Sequence, residues 1–212
     1  MYTNQLVIQA TVDHRARFTS YELGWPGSVQ DSRVFKNSDL WVRRQNYFRQ
    51  HEYIIVDKGM LSTISVTSCS KRLGYPLTKW SVRPFNDQDL TTRPEHAHLR
   101  KKWNRKLSSL RIYVEHAFGR LKGRFPYLRG IANTNLNEVF RTVEALLVLH
   151  NILETLNDDP TTIPKFNGQE DDDVPGVVGE VPEDFLDADG AHRQGLARRK
   201  ELVDYYVLNH ND

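Results

Sequence analysis

The chain has 212 residues, of which 39% are hydrophobic, and this is enough for one domain with a real core plus tails. Its single cysteine, Cys69, excludes an intramolecular disulfide framework and fits a reducing compartment. No apolar run approaches the ~18 residues of a membrane span, and the first residues lack the basic-then-apolar plan of a signal peptide. We therefore expect a soluble, intracellular chain with no membrane partner.

The N-terminal part of the chain predicts alternating strands and helices. Leu6 to Val12 and Phe18 to Leu23 are β-rich runs that bracket a polar segment, which predicts a hairpin. Ser32 to Arg44 suits a helix that carries Asp31 near its start. Tyr53 to Val56 predicts a short strand of the buried central kind, ending in an aspartate.

The stretch from Leu107 to Arg124 predicts an amphipathic helix with one acid among cations. Its apolar residues recur at i, i+4, i+7, i+8 and i+11 and predict one buried stripe: Leu110, Val114, Ala117, Phe118 and Leu121. On a neighbouring face, Glu115 lies one turn after Arg111 and two turns before Lys122. Periodicity alone favours a solvated helix whose charges pair along its surface.

Two further helices are predicted towards the C-terminus. Asn137 to Leu156 has a wide apolar face, made of Val139, Phe140, Val143, Leu146, Leu147 and His150. Residues 196–212 predict a short terminal helix and tail. Between these helices, residues 158–195 are acidic, contain prolines and have few large apolar side chains, so we expect a disordered linker. Residues 1–157 would then form the folded domain.

The net charge of +2 averages two regions of opposite charge. From His98 to Arg129 there is one acid, Glu115, whereas the acidic linker holds a single lysine, Lys165. Ten basic residues occupy the first region: Arg100, Lys101, Lys102, Arg105, Lys106, Arg111, Arg120, Lys122, Arg124 and Arg129. This concentration of cations is the electrostatic footprint of a polyanion partner.

Several sequence blocks occur in a fixed order over roughly residues 1–155. They are Tyr2-Thr-Asn-Gln5 through Val12-Asp13-His14, Gly24 to Phe35 with its Pro-Gly-Ser-x-x-Asp pattern, Glu52 to Gly59, Tyr75 to Trp80 with Arg83-Pro-Phe85, Arg111 to Phe125, and Leu149-His150-Asn151. Together these blocks resemble the Harbinger-type transposases of the DDE superfamily of endonucleases. The resemblance implies an α/β, RNase H-like catalytic core.

The resemblance also implies a metal site. Asp31, Asp57 and Glu115 would be ligands of Mg²⁺ or Mn²⁺, with Asp57 and Glu115 as catalytic residues. In such nucleases two divalent ions activate a water and stabilise the leaving oxygen of a phosphodiester. Taken without the resemblance, Asp31 is a helix cap, Asp57 a turn residue and Glu115 a surface ion pair. His116 and His150 are interpreted as packed or hydrogen-bonded histidines, not as ligands.

The same resemblance implies a DNA partner and a nuclear address. Arg111 and Lys122 would steer or clamp phosphate, and Arg105 and Lys106 belong to a basic cluster that would contact nucleic acid. An amphipathic helix rich in cations is compatible with this role.

Two features depart from the family pattern. The family's first catalytic aspartate precedes the block that begins at Tyr2, so we expect a core incomplete at its N-terminus, impaired in autonomous cleavage, and completed by a second chain if at all. An atypical insertion at about residues 60–74 separates blocks that the family joins almost directly. The alternatives are a non-enzymatic DNA- or partner-binding remnant and a decayed mobile-element fragment.

Overall fold

A computed structural model describes residues 6–26, 29, 31–56, 72–73, 77–92, 94–131, 135–163, 178–179 and 190–209. These residues fall into two compact units. The first unit holds residues 6–26, 29, 112–131 and 135–163, and the second holds 31–56, 72–73, 77–92, 94–111, 178–179 and 190–209. Strands and helices occur in both, which confirms the mixed α/β class. The RNase H-like arrangement stays a prediction.

The described elements are, in chain order, β1 (Leu6–Val12), β2 (Phe18–Pro26), α1 (Asp31–Asn37), α2 (Asp39–Val42), α3 (Arg44–Tyr47), β3 (Ile54–Ile55), β4 (Arg72–Leu73), β5 (Ser81–Val82), α4 (Asp87–Thr92), α5 (Ala97–Arg124), α6 (Leu136–Thr155), β6 (Val178–Gly179) and α7 (Ala191–Asn209). Short 3₁₀ turns occupy Pro94–His96, Pro126–Arg129 and Pro160–Thr162. Among these strands, β1 pairs with β2 in antiparallel fashion, whereas β3 with β5 and β4 with β6 are parallel pairs.

The predicted hairpin is confirmed, and its turn is built around Asp13. The Asp13 carboxylate accepts the backbone N–H groups of Arg15 at 2.9 Å and Arg17 at 3.1 Å. It also pairs with the Arg17 guanidinium at 2.6 Å. Burial raises the pKa of Asp13, but these hydrogen bonds outweigh it and leave the pKa below its usual value. Ala16 closes the turn with a φ of 59°, in the left-handed region.

The core of the first unit lies between the hairpin and two helices. Ile8, Ala10 and Phe18 of the hairpin pack with three buried residues from each helix: Ala117, Phe118 and Leu121 of α5, and Val139, Val143 and Leu147 of α6. The rings of Phe18 and Phe118 meet edge to face, with centroids 5.1 Å apart. Helix α6 begins one residue before its predicted start, after Asn135, whose side chain accepts the N–H of Asn137. The predicted stripe on α5 is confirmed for Ala117, Phe118 and Leu121, whereas Val114 is half-buried and Leu110 is 37% exposed.

The single helix predicted over Ser32 to Arg44 is wrong, because Ser38 interrupts it. The backbone of Ser38 is extended, with φ −65° and ψ 147°. Its hydroxyl donates to the carbonyl of Phe35 at 2.7 Å and accepts the N–H of Trp41 at 3.2 Å. The serine side chain thus replaces helical backbone bonds and caps α2. Two short helices, α1 and α2, result where one was expected, and α3 begins at Arg44, where the predicted helix ends.

The strand predicted over Tyr53 to Val56 is present but shorter and less buried than expected. β3 covers two residues and hydrogen-bonds to the β5 segment, from Ile54 N to Trp80 O at 2.8 Å and from Val56 N to Val82 O at 3.0 Å. Among the described strands β5 is its one neighbour, so β3 is not a central strand there. Ile55 is accordingly 37% exposed, although Val56 is buried.

The second unit is closed by α7, which begins at Ala191 and not at the predicted Leu196. Leu202, Val203 and Tyr206 of this helix pack against Trp103 and Leu107 of α5 and against Val82 and Phe85. Gly195 lies so close to the backbone around Leu77 that a Cβ there would stand 2.5 Å from the carbonyl oxygen of Leu77. The terminal helix is therefore part of the folded unit.

Much of the predicted linker and insertion lies outside the described residues. Within 158–195, the described residues form a 3₁₀ turn, strand β6 and the first turn of α7. The disorder expected for 164–177 and 180–189, most of the insertion at 60–74, and the domain boundaries stay predictions. In the described ranges, no helix combines the length and the hydropathy needed to cross a membrane.

Candidate metal centre and basic helix

The three carboxylates predicted as metal ligands come from three different segments. Asp31 is the first residue of α1 in the second unit, and its side chain lies outside the described atoms. Asp57 also lies outside the described residues, although β3 leads to Val56 as the sequence predicts. Glu115 is on α5, in the part of that helix that belongs to the first unit.

Glu115 has the surroundings that its helix predicts. It is half-buried, as are Arg111 one turn before it and Lys122 two turns after it. All three residues take part in interactions with neighbouring groups. Of the 28 residues of α5, Glu115 is the single acid, so its carboxylate stands in a helix whose other charges are positive.

No assembled metal centre is visible in the described part of the chain. There, no three His, Cys, Asp or Glu side chains form a group that could hold a metal ion. Since Asp57 and the side chain of Asp31 are outside that part, the ligand set Asp31, Asp57 and Glu115 stays a prediction. Its chemistry is that of a hard cation site, because carboxylate oxygens are the ligands that Mg²⁺ and Mn²⁺ prefer.

The basic helix presents fewer cations than its sequence suggests. Lys101, Arg105 and Lys106 are exposed on α5 in the second unit, as expected for residues that contact a polyanion. Arg124, in contrast, belongs to the basic region by sequence, yet its side chain is 1% exposed. It does not contribute to a surface footprint, because its charge is compensated inside the protein.

Arg124 and Arg120 join α5 to the end of α6 through Glu154. Arg120 Nε donates to Glu154 Oε1 at 2.8 Å, and Arg124 Nη1 donates to the same oxygen. Arg124 Nη2 also donates to the carbonyl of Asp158 at 2.6 Å. Glu154 is 6% exposed, so this is a buried ion pair with additional hydrogen bonds, which such a pair requires.

His150 completes this network as a neutral base. Its Nε2 donates to the carbonyl of Ala16 at 2.9 Å, and its Nδ1 accepts from Arg124 Nη1 at 3.3 Å. These two contacts specify one neutral tautomer. Burial lowers the pKa of His150, and the charges of Arg124 and Arg120 lower it further against the opposing effects of Ala16 and Glu154. The interpretation of His150 as a packed, hydrogen-bonded residue is confirmed.

Two asparagines perform a structural role that sequence reasoning missed. Asn151 accepts the N–H of Phe18 at 2.8 Å and donates to the Phe18 carbonyl at 2.8 Å. In the second unit, Asn104 engages the N–H of Phe85 at 2.8 Å and its carbonyl at 2.9 Å. Each amide thus satisfies both backbone groups of one residue, as a neighbouring strand would. The Leu149-His150-Asn151 block was visible in the sequence, but its partners at the hairpin were not.

Comparison with known proteins gives a family match and one distant curated relative. The family model described as DDE superfamily endonuclease matches residues 2–151, a range that includes all three candidate ligands. The "Protein ALP1-like" of Arabidopsis thaliana is 27% identical over 171 residues, which cover 73% of this chain and 38% of that protein. The chain therefore spans well under half the length of this relative. No solved structure matches the chain significantly.

Proposed function

This chain belongs to the DDE superfamily endonucleases, and on that premise we propose that it is a transposase-derived nuclease domain that binds divalent metal and acts on DNA phosphodiesters. We infer an RNase H-like core on the same basis. The observation that carries the proposal is the position of Glu115, a half-buried carboxylate and the single acid of a long helix otherwise charged by cations.

The proposed site assigns a role to each charged residue. Asp31, Asp57 and Glu115 would hold the metal, and Asp57 and Glu115 would be its catalytic residues. The bound divalent ion would supply Lewis-acid activation of water and of the leaving oxygen. Arg111 and Lys122 lie on α5 on either side of Glu115, where their charges would attract and orient a phosphodiester.

Metal binding is the first property to test, because it does not depend on cleavage. Mn²⁺ would be titrated calorimetrically into the protein and into the variants Asp57→Ala and Glu115→Gln, with circular dichroism to verify folding. Asp204→Asn is the matched control, since Asp204 is an exposed carboxylate on α7 outside the proposed site. Binding that the two site variants abolish and the control retains would support the proposal. A folded protein that binds no Mn²⁺, or equal binding by all variants, would contradict it.

A second candidate is a non-enzymatic DNA-binding domain. It is favoured by the exposure of Lys101, Arg105 and Lys106, which places cations where a nucleic-acid backbone can reach them. Its mark would be DNA affinity that falls steeply with salt and is unchanged by removal of divalent metal. The variant Arg105→Gln/Lys106→Gln should weaken that affinity and reduce the salt dependence. A nuclear location belongs to both proposals, because both have DNA as the partner.

A further inference from the structure

A tight loop in the second unit carries Lys79, which is exposed, and Trp80, which is half-buried. The residues at its two ends are buried, with Thr78 3% and Ser81 0% exposed. Thr78 Oγ1 accepts the N–H groups of Trp80 at 3.3 Å and of Ser81 at 3.1 Å, as in the turns that threonine hydroxyls form. The Trp80 carbonyl also accepts the N–H of Ile54 at 2.8 Å. The backbone that carries Lys79 and Trp80 is therefore fixed.

Two cations lie close to the indole ring of Trp80. Lys79 Nζ is 4.2 Å from the ring centroid, and Arg44 Cζ is 5.0 Å from it. Arg44 Cζ also lies 4.7 Å from the centroid of the Trp41 ring, and its Nη1 donates to the Trp41 carbonyl at 2.8 Å. The Trp41 ring in turn packs against the buried ring of Phe35, with centroids 5.0 Å apart. Arg44 is therefore anchored through Trp41, whereas Lys79 is exposed and carries its charge on a flexible stem.

Within the described ranges, neither Lys79 nor Arg44 forms an ion pair with a carboxylate. The acid nearest to Arg44 along the chain is Asp39, which pairs with Arg43 and accepts a hydrogen bond from the Tyr47 hydroxyl. Tryptophan rings also bind ligand cations. Two positive charges already lie beside this ring, so a partner that carries an anion is favoured over a cationic one. The surface therefore combines an aromatic ring with cations that are available to phosphate.

We propose that Trp80 stacks on a base of single-stranded DNA and that Lys79 binds the phosphate beside that base. DNA as the partner rests on the proposed function, but the site involves none of the proposed metal ligands. A base in a single strand has a free face, and an aromatic ring beside cations accepts it whatever the sequence. In a duplex the neighbouring pairs cover both faces of a base, so the site selects unpaired nucleotides. Lys79 can move from the ring to a phosphate, while Arg44 keeps a positive charge at the ring.

Comparing single strands with and without bases tests the stacking contact in the full chain. Fluorescence anisotropy would measure binding of a labelled oligothymidylate and of an abasic sugar-phosphate strand of equal length, both in EDTA so that metal plays no part. We expect the oligothymidylate to bind at least about fivefold more tightly, as for one stacked base. Trp80→Ala should bind the two strands alike, within about twofold, because only the phosphate contacts remain. Trp80→Phe should keep most of the preference, since it retains a ring.

The phosphate contact is tested by Lys79→Gln, which should weaken binding of both strands alike. It should also lower the slope of log affinity against log salt by about 0.7, the value for one phosphate contact with a single strand. Lys200→Gln is the matched control, because Lys200 is an exposed cation on α7 of the same unit, and it should change affinity by less than about twofold. Circular dichroism would verify folding. If Trp80→Ala does not fold, Trp80→Leu takes its place, since leucine keeps an apolar side chain beside Arg44 but no ring.

Equal binding of the two strands by the unmodified protein would overturn the stacking site, as would a base preference that persists in the folded Trp80→Ala or Trp80→Leu variant. A relaxed circular duplex, which has no terminal bases, serves as the third probe. Its affinity should change by less than about twofold in these variants, and an equal loss for duplex and single strand would contradict the selection of unpaired bases. The Mn²⁺ titration is independent of these measurements. Loss of the base preference with Mn²⁺ binding intact refutes the stacking site alone, and the reverse result refutes the metal centre alone.

Discussion

Replacing Asn151 by alanine should release the hairpin from α6. The substitution removes both hydrogen bonds to Phe18, each 2.8 Å long. Each lost bond costs about 1 kcal/mol, and each backbone group left without a partner adds up to about 1 kcal/mol, which gives about 2–4 kcal/mol in total. Phe18 is buried, so water does not replace the amide easily. Urea denaturation followed by circular dichroism would measure the loss in unfolding free energy.

Hydrogen exchange at the Phe18 amide distinguishes this explanation from general destabilisation. In Asn151→Ala the amide should lose protection by local opening, before the rest of the first unit exchanges. In Asn151→Asp the acceptor remains and the donor is lost, so protection should persist although stability falls. Asn137→Ala, an exposed position on the same helix, should change stability by less than about 0.5 kcal/mol. Unchanged Phe18 exchange in Asn151→Ala would refute the reasoning.

Three further predictions concern packing, charge and pH. Gly195→Ala should destabilise the folded protein by about 1–3 kcal/mol, because the new Cβ would meet the backbone at Leu77. Gly119→Ala has open space in α5 and should stabilise the protein by up to about 1 kcal/mol. Urea denaturation midpoints would measure both changes. Arg124→Met should cost up to about 3 kcal/mol, because Glu154 keeps only the more exposed Arg120 as its partner, and Arg124→Met/Glu154→Leu should recover part of it in a double-mutant cycle. Burial lowers the pKa of His150 below its ordinary 6.5, so the unfolded chain binds the proton first; its contribution to stability is present above about pH 6.5 and is lost as the pH falls through the lower folded pKa. His150→Gln should flatten that pH dependence, and an unchanged slope would contradict the assignment.

The elements predicted well from the sequence are those determined by local pattern. The hairpin follows from two β-rich runs around a turn that Asp13 organises, and α6 follows from an apolar face within a single segment. Ser38 shows where prediction from local sequence pattern fails. A serine inside a helical pattern is compatible both with a continuous helix and with a cap, and its bonds to Phe35 and Trp41 decide between them only in three dimensions.

Residues whose partners are distant along the chain were beyond sequence reasoning. Arg124 has the composition of a surface cation, and only the fold brings Glu154, 30 residues away, to neutralise it. Arg199 meets Asp89 across 110 residues, so nothing near α7 indicated that the helix is part of a core. The metal ligands are a similar case. Asp31, Asp57 and Glu115 have no common periodicity, and family resemblance was the source of their grouping.

The contacts of Asn151 with Phe18 and of Arg199 with Asp89 also limit how early parts of this chain can fold during synthesis. The hydrogen bonds of Phe18 cannot form until Asn151, 133 residues later, has been synthesised. The ion pair of Asp89 likewise cannot form before Arg199 has been synthesised. A ribosome therefore releases the hairpin and β5 well before the helices that cover them. Contacts of such long sequence separation make folding slow, because loop closure precedes any gain from packing. Until α7 emerges, Val82 and Phe85 are covered only by Trp103 and Leu107 of α5, so this interval is when the chain most needs protection from aggregation.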